Sequence, residues 1–205
     1  MELERYLAAL ASDVPTPGGG SAATIVAASG AALVAMVARI TRRNARYAAK
    51  SSLAEDLIER ADAVRAQALV ARERDEAAYA RVVEATTLPK TTVPQKAART
   101  VAVQAALADA AQAPLEAAQL AARVAALAVR ALELENAPLA SDLGCAAEFA
   151  AAALAASAYN VRVNHKYMKD AAAIRRGEVT LAGYEAEVAP FVKRVRFEVA
   201  RTLAR

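Results

Sequence analysis

The chain has 205 residues, which suits one domain with a sizeable core. Its residues are 57% hydrophobic but only 4% aromatic, and alanine makes up most of the difference. Seven glycines and seven prolines leave few turns for an all-β fold. Alanine is the strongest helix former and keeps neighbouring helices close, so the expected fold is all-α: one helical bundle of about seven helices over residues 1–205.

The net charge is +4 and the pI about 9.4. Basic residues are mixed with acids along every segment, with no basic arm carrying aromatics and no helix-turn-helix signature. No nucleic-acid partner is expected, and an anionic small molecule remains compatible. Cys145 stands alone, so no disulfide can form within the chain, and a reducing, cytoplasmic compartment is expected. With His165 as the single histidine, a zinc site lacks donors and no metal is expected. No nucleophile near His165 in the sequence suggests a triad, and an ordinary helix surface or interface is its expected setting.

In chain order, residues 2–11 read as a short helix and Ser12 to Gly20 as a loop. A second helix is expected over Ser21–Arg43. Its first eighteen residues, Ser21 to Ala38, carry no charge and only just reach membrane-spanning length. They are rich in Ala, Ser, Thr and Gly. Glu2, Glu4 and Asp13 against Arg5, followed by Pro15 to Gly20, do not suit a signal peptide. A central buried helix is expected, not a membrane span.

The third helix, about Ser51 to Ala85, carries a stripe of Leu53, Leu57, Ala61, Val64, Ala68, Ala71, Ala78 and Val82, with Asp75 in its middle. Pro89 and Pro94 bound a loop. A fourth helix runs from Pro94 to about Ala113, Pro114 kinks or restarts it, and a fifth continues to about Glu135. Ser141 or Asp142 can cap a sixth, ending near Arg176-Gly177, and Thr180 starts a seventh.

Several groups could carry chemistry. Gly18, Gly19, Gly20 and Ser21 lead into a helix start, which suits a carboxylate, a phosphate or an electron-rich carbonyl; a tight docking turn explains them equally well. Asp75 on an apolar stripe is costly unless paired or functional. It is a candidate general acid or base, although periodicity alone slightly favours a salt bridge to Arg99 or Arg123. Lys90, Lys96 and Arg99 can clamp an anionic substrate or simply form a solvated helix end. Asp142, Phe149, Asn160 and Asn164 share one stripe, and two amides four residues apart on an inward face need partners.

These segments together resemble the cyclodeaminase/cyclohydrolase family. They are Ser12-Asp13-Val14-Pro15-Thr16-Pro17-Gly18-Gly19-Gly20-Ser21-Ala22-Ala23, Met36, Thr41, Tyr47, Asp75 with Tyr79, Leu88-Pro89-Lys90, Arg99, Pro114-Leu115, Asn136, Ser141-Asp142-Leu143-Gly144 and Asn160-Val161-Arg162-Val163-Asn164. A glycine is expected before Asn136, where this chain has Glu135. The resemblance implies a helical homodimer with a tetrahydrofolate derivative as substrate and no metal or redox cofactor. It makes Asp75 and Asp142 the catalytic candidates. It makes Gly18, Gly19, Gly20, Ser21, Lys90, Lys96, Arg99, Asn136, Ser141, Asn160 and Asn164 the substrate-binding ones. The implied activity is hydrolysis of 5,10-methenyltetrahydrofolate to 10-formyltetrahydrofolate. The alternative is formimidoyltetrahydrofolate cyclodeamination, working with a separate formiminotransferase. A non-catalytic folate-binding or scaffold protein is the reading from another class. The absence of a transferase domain favours the cyclohydrolase.

Overall fold

A computed structural model of the chain describes residues 3–204. They form α1 (Leu3–Leu10), α2 (Gly19–Arg43), α3 (Ser51–Thr87), α4 (Val93–Ala131), α5 (Ala140–Tyr167) and α6 (Ala171–Leu203), with short 3₁₀ segments after α2 and α4. No strand occurs among the described residues.

Helix α2 lies at the centre, packed on α3, α4 and α5, while α6 fills the groove between α4 and α5. Small side chains make this closeness possible. Ala27, Ala31, Ala118, Ala121, Ala146 and Ala150 are all buried in one core. A Cβ on Gly30 would stand 2.9 Å from Val124 Cγ1 and 3.2 Å from the Ala146 carbonyl, so glycine there lets α4 and α5 approach α2 together. This burial explains the apolar run of α2, although α2 and the segment Ala137–Tyr167 are both long and apolar enough to cross a membrane.

Ion pairs and hydrogen bonds record the antiparallel register of α3 and α4: Asp56 with Arg130, Gln67 with Arg123, Arg74 with Glu116, Arg81 with Asp109, and the Thr86 carbonyl with Arg99. Exposed pairs of this kind add little stability singly, but they align the two longest helices. At 37 and 39 residues, α3 and α4 outrun the 25-residue α2. Their paired ends project as an arm with Val93 81% and Val101 70% exposed.

The structure corrects four boundaries. The helices expected on either side of Pro114 are one, α4, with Pro114 inside it. Proline removes one backbone hydrogen bond, but buried Ala113, Ala117 and Ala118 hold both halves on the core. The helix expected to end near Arg176-Gly177 stops at Tyr167. Asp170 then caps α6 by accepting from the N–H groups of Ala172 and Ala173, which leaves Thr180 inside α6 rather than at its start. Neither Ser141 nor Asp142 caps α5, because that helix already begins at Ala140. Of the two settings expected for His165, the structure shows the interface: it is buried, with Nδ1 2.7 Å from Glu178 Oε1, and joins α5 to α6.

Candidate active site

The start of α2 is capped by Gly18, which offers no side chain to the free N–H groups of the first turn. The Asp75 carboxylate arrives from α3 instead and stands against Gly20, where the Ser21 backbone N–H favours its ionised form. A Cβ on Gly20 would lie 2.6 Å from Asp75 Oδ2, so only glycine admits the carboxylate at this point. The helix start therefore does receive an anion, and that anion is the protein's own.

Asp75 has no cation paired with it among the described residues. Arg99 donates to the Thr86 carbonyl and Arg123 to Gln67, so neither forms the salt bridge that periodicity slightly favoured. Burial is the main cause that raises the Asp75 pKa above the ordinary carboxylate value; the Ser21 N–H opposes it and the neighbouring charge of Glu76 adds to it. A half-buried carboxyl with raised proton affinity suits acid–base work.

Asn160 completes this end of the bundle from α5. Its Nδ2 lies 3.5 Å from where a Gly19 Cβ would stand and donates to the Ala156 carbonyl at 2.8 Å. Asn164 donates to the Ala110 carbonyl of α4 at 3.1 Å and to the Asn160 carbonyl at 2.9 Å. The inward amides thus find backbone partners. Gly18, Gly19, Gly20, Ser21, Asp75, Asn160 and Asn164 gather into one region.

Other candidates lie elsewhere. Thr86, the partner of Arg99, is eleven residues beyond Asp75 on α3, roughly 16 Å at the helical rise. Lys90 and Lys96 are exposed beside it at the arm tip and pair with no acid among the described residues. Asn136 sits near the far end of α2, where its Nδ2 donates to Thr41 Oγ1 at 2.9 Å and its Oδ1 faces the Tyr47 hydroxyl at 3.5 Å. Ser141 and Asp142 occupy the first turn of α5 at that same end. Eighteen residues of α5 separate Asp142 from Asn160, roughly 27 Å.

Three neighbours of the site, Tyr6, Arg72 and Glu76, are absent from the residues singled out by sequence. The Ser21 hydroxyl is buried and donates to Glu76 Oε1 at 2.8 Å, with the Tyr6 hydroxyl 2.9 Å away, and Arg72 Nη1 bonds the same Glu76 oxygen at 2.9 Å. Glu76 and Arg72 lie off the apolar stripe, so periodicity treats them as solvated.

Among the described residues the fold is an all-helical bundle with a half-buried carboxylate, unpaired with any cation, beside the start of α2. The model of the formiminotransferase-cyclodeaminase family matches residues 2–181. The chain is 36% identical over 193 residues to the methenyltetrahydrofolate cyclohydrolase of Methylorubrum extorquens, covering 94% of this chain and 93% of that one. Its structure is similar to the crystal structure of formiminotetrahydrofolate cyclodeaminase from Thermotoga maritima, with a TM-score of 0.88 and 26% identity over 99% of this chain and 98% of the other. The chain belongs to the formiminotransferase-cyclodeaminase family.

Proposed function

We propose that the protein is a methenyltetrahydrofolate cyclohydrolase. The observation that carries this reading is the Asp75 carboxylate, half-buried, paired with no cation among the described residues and set against Gly20 at the start of α2. The substrate is a cation whose charge is shared between N5, N10 and the carbon between them. A carboxylate beside it favours binding and accepts the proton of the attacking water. Water oxygen bonds to that carbon, and the proton passes to Asp75. As the tetrahedral adduct collapses, its hydroxyl gives up its proton to solvent, the carbon–N5 bond breaks, and N5 takes the proton held by Asp75. The carbonyl left on N10 is the formyl group of the product.

The arm tip suits the other end of such a substrate. Arg99 sits at Thr86, roughly 16 Å along α3 from Asp75, and Lys90 and Lys96 add cations near it at the arm tip. A folate carries its pterin and its glutamate carboxylates at opposite ends.

Our reading also includes a homodimer whose site is shared. Asp142 and Asn160 are too far apart in one chain to touch one reacting carbon. An antiparallel pair sets the Asp142 end of one copy against the Asn160 end of the other. Exposed Tyr79 and Val83, on α3 beside Asp75, leave room for that second copy.

Cyclodeamination is the second reading, favoured by the likeness to the Thermotoga maritima structure. There N10 attacks the formimino carbon and ammonia leaves, and a separate formiminotransferase would supply the substrate. One experiment distinguishes the two. Loss of methenyltetrahydrofolate absorbance is followed with purified protein, beside ammonia release from the formimino compound. Accelerated absorbance loss supports the cyclohydrolase. Ammonia release alone replaces it with the cyclodeaminase, and neither activity leaves a binding protein.

A further inference from the structure

We propose that Glu76 is a positioning residue for Asp75, acting on it through Ser21 and through its own charge. The inference rests on the acid–base role given to Asp75 above. Ser21 has one hydroxyl proton, and it goes to Glu76 Oε1. The Tyr6 hydroxyl must then be the donor in its contact with Ser21. The path runs from Tyr6 through Ser21 to Glu76, and Arg72 closes it on the same carboxylate oxygen. Ser21 is therefore held from both sides at its hydroxyl, while the Asp75 carboxylate stands against Gly20, the residue before it.

None of the three outer residues needs to reach substrate to matter. Ser21 is fully buried and Tyr6 nearly so. Burial raises the Tyr6 pKa, so the phenol keeps its proton and remains a donor. Glu76 follows Asp75 directly on α3, and its charge opposes ionisation of Asp75, while Arg72 offsets part of that charge. Asp75 stands against Gly20 of α2, Glu76 is its neighbour on α3, Tyr6 of α1 and Arg72 of α3 join it through Ser21 and Glu76, and the neutral Asn160 of α5 lies beside Gly19. Glu76 and Arg72 are the charged members of this set, and they act in opposite directions.

That opposition supplies the test. Aspartate carboxyl carbons are labelled with ¹³C in the full chain, and the Asp75 resonance is assigned by its absence in Asp75→Asn. Its titration is then compared in wild type, Glu76→Gln and Arg72→Gln. Glutamine keeps an oxygen for Ser21 but carries no charge, so Glu76→Gln should lower the proton affinity of Asp75 by about threefold or more. Arg72→Gln should raise it. The acidic limb of the turnover profile should move with each titration while KM stays unchanged. An unmoved Asp75 titration in both variants, or a shift of the same sign in both, overturns the proposal whatever happens to turnover. Opposite titration shifts with an unmoved acidic limb keep the coupling and instead overturn the catalytic reading of Asp75.

Discussion

At the scale of single residues, Asp75 is where function and stability conflict. Asp75→Asn should cut turnover by about 10²–10⁴-fold, the usual effect of losing one positioned acid or base. The same variant should be more stable than wild type at neutral pH. The sign follows from linkage: the folded pKa is raised, so the native state binds the proton more tightly than the unfolded chain, and stability falls as pH rises through the folded pKa. Asparagine has no charge to desolvate and still offers Ser21 an acceptor. Melting curves against pH should show the variant ahead at neutral pH and the difference closing in acid; a variant less stable at neutral pH would mean that Asp75 is chiefly a structural cap. Gly20→Ala should lower activity, because the added methyl displaces the Asp75 carboxylate; turnover of the purified variant checks it. Glu135 is a separate case. It has φ 55° and ψ 30°, in the left-handed region that glycine adopts freely, and Lys50 bonds it at 2.9 Å. Glu135→Gly should therefore raise stability by about 1 kcal/mol or less, the relieved strain exceeding an exposed ion pair. The sequence exposed Asp75 because a carboxylate interrupts an apolar stripe. It could not expose Gly20's role, which depends on which side chain arrives above it.

At the scale of helices, the apolar periodicities were legible and their ends were not. Pro114 looks like a break because proline costs a hydrogen bond, yet the alanine faces around it remain in register with the core. The stop at Tyr167 escapes the sequence pattern because Asp170 is a short local signal, outweighed by the continuing pattern around it. The α3–α4 arm carries a testable function. Lys96→Ala should raise KM more for a polyglutamylated than for a monoglutamylated folate, with little change in melting temperature. Arg99→Ala should show the same preference and also melt earlier, since the Thr86 carbonyl loses both of its guanidinium donors. Equal KM changes for the two substrates would take the glutamate tail away from this arm.

For the molecule as a whole, the distribution of candidate residues over two distant ends leads to a prediction about assembly. Asp142→Asn and Asn160→Ala, each inactive alone, should regain part of the activity when mixed and allowed to exchange subunits. Verified exchange without recovery would confine the site to one chain. The all-helical bundle could be read from composition because alanine dominates it, whereas the pairing of its ends could not, since separation along a helix becomes visible only when the helix is placed. The alanine interior has a further consequence. Ala27, Ala31, Ala118, Ala121, Ala146 and Ala150 have no rotamers to freeze, so packing them costs almost no side-chain entropy. Each also contributes little apolar area, and the fold balances a weak drive against a weak penalty. Such an interior has no torsional slack with which to absorb an added methyl group, so variation in this protein should be confined to its outer faces, with the seams between its helices remaining almost unalterable.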